Sequence, residues 1–289
     1  MSQKLTVIIF GATGKTGASI VNGLIDSNKF NIFAAVRPAS KDKPEVEELK
    51  SRGVEIRLVD LQTVDDSTVD VLRGIDVVIS ATSFETISPQ KRLVDAAKKA
   101  GIKRFIPNDW ATACVRGKGL IQDYIREIGI GYTFIDVGLW FRDLFPPVER
   151  SQQIYPGQIA DFAKIYGGGE VKIAVTDLRD IGPFVARIID DPRTLNHYEI
   201  DIAEKARGVK IETTIVSPAD AEKASARAAG GLLQLLLEYI YSWWVRGDNV
   251  IENAKKPEYG GALDARELYP DIKPRKVADF ARSFYAGSN

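Results

Sequence analysis

Residues 5–17 read Leu-Thr-Val-Ile-Ile-Phe-Gly-Ala-Thr-Gly-Lys-Thr-Gly, and this stretch decides the fold. Leu5 to Phe10 is a β-branched and apolar run of the kind that forms a buried strand. Gly11, Gly14 and Gly17 follow at three-residue spacing, and an amphipathic segment, Ala18-Ser-Ile-Val-Asn-Gly-Leu-Ile, comes next. A strand, a glycine turn and a helix in that order can bind a dinucleotide pyrophosphate. Gly11 allows the tight turn, and Gly14 lets the backbone approach the phosphates. Gly17 lets the helix pack close to the strand, so that its free N–H groups and positive end face the anion. Contacts to the cofactor are expected from Gly11, Thr13, Gly14, Lys15, Thr16 and Gly17. Gly14-Lys15-Thr16 also reads as the end of a P-loop, but that motif needs a glycine five positions before Gly14, where the chain has Ile9.

Composition narrows the field. The chain has 289 residues, enough for one large domain or two modest ones. Lys+Arg and Asp+Glu are equal at 39 each, so no basic field points to nucleic acid. One cysteine, Cys114, excludes an internal disulfide and fits a reducing, cytoplasmic setting. One cysteine and one histidine, His197, speak against a His/Cys zinc site, and no metal is expected. The same scarcity disfavours Ser-His-Asp and Cys-His catalysis. The apolar run at 5–10 is too short for a signal peptide and leads straight into the glycine turn. Leu232 to Val245 is the longest apolar stretch, and it falls short of the roughly 20 residues a membrane span needs.

The first half alternates strand and helix. Strands are expected at Phe30 to Val36, Val54 to Val59, Ile75 to Ala81, Lys103 to Pro107 and Tyr132 to Val137. Helices are expected at Pro44 to Arg52, Asp65 to Leu72, Pro89 to Ala100 and Leu120 to Ile128. This βαβα pattern requires a parallel sheet with helices on both faces. The expected fold is therefore α/β, a doubly wound parallel-sheet Rossmann architecture with a smaller, mainly helical C-terminal substrate region. Residues 1–137 would form the dinucleotide domain, with 171–202 returning to it, while 138–170 and 203–289 would form the substrate region. Val171 to Val175 reads as a strand. Asp180 to Asp190 reads as a helix with Pro183 in its first turn, Asp180 as its N-terminal acid and Arg179 as a tie between domains.

Four segments resemble the NmrA-like and isoflavone-reductase-like group of atypical short-chain dehydrogenases, in its fungal branch. They are the glycine turn at 11–17, Ala-Gly-Ile-Lys-Arg-Phe-Ile-Pro-Asn-Asp-Trp at 100–110, Gly-Ile-Gly-Tyr-Thr-Phe-Ile at 129–135, and Thr-Asp-Leu-Arg-Asp-Ile-Gly at 176–182. The resemblance covers about residues 5–200. Asn108-Asp109 stands where the family carries Ser-Glu, and the stretch after Tyr198 is short for the family. Lys118, counted back from Gly-Ile-Gly-Tyr-Thr, falls on the lysine that reductases of this group use in catalysis. The resemblance implies that it donates a proton or stabilises charge beside the nicotinamide ribose. The group also contains NAD(P)-binding regulators without turnover.

Other residues earn a place by position. Arg37 follows strand two, where an NAD-specific site would carry an acid, so its cation suits a ribose 2′-phosphate, with Lys41 and Lys43 nearby. Asp60 ends strand three, beside the expected adenine, and reads equally as a turn or helix-cap aspartate. Ala81, Thr82 and Ser83 follow strand four and leave room for the nicotinamide half, with Phe84 on the substrate side. Asn108 and Asp109 follow strand five and can bond the nicotinamide ribose or orient a substrate, and Asp109 is a second catalytic candidate. Trp110, Trp140, Phe141 and Phe145 would wall an apolar substrate pocket, with packing as the competing role for each. Tyr124 has Ile128 four residues on, so no Tyr-x-x-x-Lys pair forms there, and Tyr124 reads as structural.

These features lead to one expectation: an NADPH-dependent reductase, monomeric or homodimeric, acting on a small apolar metabolite. The hydride would reach a C=C, C=O or C=N carbon of an aromatic or heterocyclic compound. The fungal resemblance implies secondary metabolism. Two other outcomes stay open: an NADP(H)-binding redox sensor that contacts a protein, and a non-redox cyclisation on an iminium in the same pocket.

Overall fold

The computed structural model describes residues 4–82, 87–110, 118–141, 164–166, 171–200, 214–227 and 237–286. The chain begins as β1 (Leu5–Phe10), α1 (Lys15–Ser27), β2 (Phe30–Val36), α2 (Pro44–Ser51), β3 (Glu55–Leu58), α3 (Asp66–Leu72) and β4 (Val77–Ser80). It continues through α4 (Ile87–Lys99), β5 (Arg104–Ile106), α5 (Lys118–Ile128) and β6 (Thr133–Asp136). Five strands pair in the order β3-β2-β1-β4-β5, all parallel. An isolated bridge, Phe105 to Tyr132, carries the sheet on toward β6.

Burial on both faces explains the apolar strands. In β1, Val7 and Ile9 enter one core, while Ile8 and Phe10 enter the other. The first core takes Ile20, Val21 and Leu24 of α1 and Val46 and Leu49 of α2. The second takes Leu72 of α3, Leu93, Val94 and Ala97 of α4, and Ile121 and Ile125 of α5. Each buried Val, Leu, Ile or Phe contributes on the order of 1.5–3 kcal/mol.

The later elements are β7 (Leu139–Trp140), β8 (Lys164–Tyr166), β9 (Val175–Thr176), α6 (Leu178–Ile188), β10 (His197–Ile200), β11 (Thr214–Val216) and α7 (Pro218–Arg227). They are followed by α8 (Ile251–Ala254), β12 (Leu263–Asp264), α9 (Ala265–Leu268) and α10 (Val277–Ala286). β10 pairs in parallel with β6 on one side and β12 on the other. Residues near 263, read from sequence as part of the substrate region, thus add a strand beside β10. Ala254 and Ala262 reach the second core, and Ala265 and Tyr269 reach the first. The strand expected at Val171 to Val175 is reduced to Val175–Thr176, which pairs with β7.

α6 packs on α1 at unusually close range. A methyl on Gly182 would lie 1.9 Å from the Ser19 carbonyl oxygen, and one on Gly23 would lie 2.1 Å from the Gly182 carbonyl carbon. The Gly182 N–H donates to Ser19 Oγ at 3.1 Å. α6 starts at Leu178 with Asp177 as its cap, so Pro183 lies in the helix interior and not in its first turn. Arg179 turns back on Asp177, and this hydrogen-bonded guanidinium holds the Asp177 carboxyl below its usual range against the cost of burial. The long-range tie comes from Asp180 instead. Its carboxylate accepts the Arg275 N–H at 2.7 Å and pairs with the Arg275 guanidinium, while burial pushes the Asp180 carboxyl up.

Candidate functional site

A cavity of about 450 Å³ opens beyond the C-terminal ends of β1, β2, β3 and β4. The strand order reverses between β1 and β4, which is where doubly wound sheets bind ligands. Its lining includes Gly11, Ala12, Thr13 and Gly14 from the glycine turn, Arg37, Ser40 and Lys43 after β2, Val59 to Gln62 after β3, and Ala81 and Thr82 after β4.

The three glycines have different physical reasons. Gly11 has φ 82°, and a methyl there would lie 2.3 Å from the Ala81 carbonyl oxygen. A methyl on Gly17 would lie 2.1 Å from the Gly11 carbonyl oxygen, so the first turn of α1 can approach the loop only without a side chain. Gly14 is different. Its backbone is extended, at φ −75° and ψ 168°, and its nearest obstacle would be the Gly11 carbonyl oxygen at 3.2 Å. The fold therefore demands glycine at 11 and 17 more than at 14, and Gly14 lines the cavity. Gly14 caps α1 with no side chain, and the first turn of α1 carries no acid. The free N–H groups and positive end of that helix are suited to an anion. Lys15, Thr16 and Gly17 form the first turn of the helix.

Two cations also line the cavity. Arg37 is exposed and lines the cavity, and its carbonyl accepts the Ser40 N–H at 2.8 Å in a single turn of 3-10 helix. That turn carries Lys41 outside the lining, and the chain then brings Lys43, the cap residue of α2, into it. Among the described residues no carboxylate pairs with Arg37 or Lys43. Glu45 also lines the cavity. Asp60 uses one carboxylate oxygen to take the Gln62 N–H at 2.9 Å, capping the turn Leu61–Thr63, and still lines the cavity.

Beyond β4 and β5 the side chains are tightly held. Ser80 is fully buried, with its Oγ 3.4 Å from Thr82 Oγ1. The Trp110 indole N–H donates to the Ser80 carbonyl at 2.7 Å, and the ring lies in the first core. The Asn108 N–H donates to Gln90 Oε1. Asp109 is buried and accepts from Gln122 Nε2 at 2.6 Å, which joins the end of β5 to α5. Phe141 is buried with Leu139, Val175, Trp243 and Val277, edge-on to Phe280 at 5.7 Å, while Trp140 is half-buried against the first core. Trp110 and Phe141 are thus packing residues in the described structure. Tyr124 donates to Asp95 at 2.6 Å, and this bond, aided by burial, pushes its hydroxyl up to about 12.

Lys118 is the first residue of α5, and its side chain lies outside the described residues, as do Ser83, Phe84 and Phe145. Sequence reading passed over Ser40, Val59, Leu61 and Gln62 in the cavity wall. Their one signal was position, immediately after strands two and three. Among the described residues no group of His, Cys, Asp or Glu could hold a metal ion, and no helix is long and apolar enough to cross a membrane.

Comparison with known proteins places the architecture. The asnovolin J 5′,6′-dehydrogenase of Aspergillus novofumigatus is 33% identical over 323 aligned positions, covering 99% of this chain and 97% of that protein. A phenylcoumaran benzylic ether reductase of Nicotiana tabacum is 29% identical, covering 98% and 100%. The leucoanthocyanidin reductase of Vitis vinifera, solved with NADPH, superposes with a TM-score of 0.77 at 23% identity, covering 97% of this chain and 99% of that one, a likeness of fold. The model of the NmrA-like family matches residues 3–212. On that match, and on the parallel sheet and glycine turn it spans, the chain belongs to the NmrA-like family.

Proposed function

We propose that the chain is a cytoplasmic NADPH-dependent oxidoreductase of secondary metabolism, passing hydride to a C=C, C=O or C=N bond of a small apolar, aromatic or heterocyclic metabolite. The observation that carries this reading is one cavity that joins the glycine turn to two cations, Arg37 and Lys43. A pyrophosphate fits the turn and the α1 terminus, and a 2′-phosphate fits the two cations. We assign Asp60 to the adenine side, and Ala81, Thr82, Ser83 and Asn108 to the nicotinamide side. The names of the relatives support redox chemistry, as a reductase in tobacco and a dehydrogenase in Aspergillus.

When bound, NADPH supplies the hydride, and the protein must orient the acceptor and manage a proton. We assign the proton to Lys118, at the start of α5, where it would protonate or stabilise the developing anion. Asp109 ties the end of β5 to α5 through its bond to Gln122, so we assign it the part of positioning α5. Phe84, Trp140 and Phe145 remain the residues we assign to the substrate side.

The test is NADPH consumption against a panel of enones, ketones, imines and benzylic ethers, with product masses. Turnover with a gain of two hydrogens supports the reading. Tight NADPH binding with no oxidation across the panel replaces it with the regulator, and a product of unchanged mass replaces it with cyclisation.

A further inference from the structure

We propose that Gln90 binds the nicotinamide half of the dinucleotide, its carboxamide NH2 donating to an acceptor oxygen of the nicotinamide riboside. The proposal rests on the dinucleotide reading above. Gln90 lies at the start of α4 and is 1% exposed. Its Oε1 accepts the N–H of Asn108, and because a backbone N–H can only donate, this bond fixes which way the amide faces. The other end, Nε2, is buried and has no hydrogen-bond partner among the described residues.

A buried amide donor without an acceptor is costly, so folds rarely retain one without a use. Position suggests that use. Asn108 follows β5, which pairs with β4, and Ala81 and Thr82 beyond β4 already line the cavity. A dinucleotide whose adenosine half lies over β2 and β3 extends across the switch point toward the ends of β4 and β5. Gln90 is held at that end by the Asn108 N–H, after β5 and on the side of the sheet away from Arg37. One carboxamide thus does two things: its oxygen holds the loop after β5, and its NH2 is left for a ligand oxygen.

The experiment is calorimetric titration of the wild type, Gln90→Glu and Gln90→Met with NADPH and with adenosine 2′,5′-bisphosphate, which lacks the nicotinamide riboside. Glu keeps an oxygen for the Asn108 N–H and removes the NH2, whereas Met removes both. The expected result is NADPH affinity weakened about tenfold in both variants, the scale of one lost hydrogen bond, with the bisphosphate bound as by wild type. That unchanged binding also certifies that the variants are folded. Gln90→Glu binding NADPH as wild type does would overturn the assignment, as would equal losses for both ligands. A wild type that binds neither probe overturns the dinucleotide reading and the Gln90 assignment together.

Discussion

Adding one methyl group separates the glycine that serves the ligand from the glycine that serves the fold. At Gly17 the new carbon would lie 2.1 Å from the Gly11 carbonyl oxygen and 2.7 Å from its carbonyl carbon, both rigid backbone. Relief requires α1 to move off the loop by an ångström or more, loosening Ile20, Val21 and Leu24 in the first core. Overpacking of this kind costs about 3 kcal/mol or more, a melting-temperature drop of roughly 6–12 °C for a chain of this size. At Gly14 the new carbon would meet Gly11 O at 3.2 Å and Ala81 O at 3.9 Å, on an extended backbone that alanine adopts freely. A shift of a few tenths of an ångström suffices, and the weaker helix cap costs about 1 kcal/mol at most. Gly14→Ala should therefore melt within about 3 °C of wild type. Its methyl would occupy the approach of the pyrophosphate, so NADPH affinity should fall by about a hundredfold, or roughly 2.7 kcal/mol. Differential scanning fluorimetry and calorimetric titration read the two effects separately. Gly14→Ala binding NADPH like wild type, or melting as low as Gly17→Ala, would refute the reasoning.

Three further outcomes are expected. Arg37→Ala should weaken NADPH by about 1–3 kcal/mol and leave NADH nearly unchanged, and equal losses for the two cofactors would remove Arg37 from the 2′-phosphate site. Lys118→Met should keep NADPH affinity within about threefold and cut kcat by at least about a hundredfold, and an undiminished kcat would exclude Lys118 from proton transfer. Asp191 is held down to about 2 by hydrogen bonds from Arg193 and, at 3.0 Å, from Tyr269 Oη, against the usual 3.8. A carboxyl depressed in the folded state stabilises above its unfolded value and loses that contribution as pH falls through its folded one. Wild type should therefore lose stability relative to Asp191→Asn as the pH falls from 3.8 toward 2 in urea melts, and parallel curves over that window would contradict the pairing.

The parallel core was legible because its signals are local. β1 and β2 fall on the residues read as strands, Leu5–Phe10 and Phe30–Val36, since strands buried on both faces must be apolar at nearly every position. β12 was not legible: two residues, Leu263 and Asp264, carry no alternation, and only their pairing with β10 makes them a strand. In the cavity the glycine turn and Arg37 stood out because turn chemistry and position after a strand are properties of neighbouring residues. The choice of Lys43 over Lys41 was not visible, since it depends on where the turn at Pro38–Ser40 ends and α2 begins.

By itself the sequence determined what short-range physics controls: the order of the first strands and helices, the sign of charge after strand two, and the glycine turn at 11, 14 and 17. Tertiary structure alone decided which distant groups meet. Asp180 found Arg275 across 95 residues, while its neighbour Arg179, expected to make that tie, folded back on Asp177. Trp110 entered the core because the carbonyl of Ser80, thirty residues earlier, could satisfy its indole N–H. Gln90, unremarkable on an amphipathic helix, became a site candidate only when packing buried its amide and gave a partner to one end of it. The division follows from the forces. Backbone preference and burial pattern are written residue by residue, but a hydrogen bond between remote groups exists only after the sheet and its helices have brought them together.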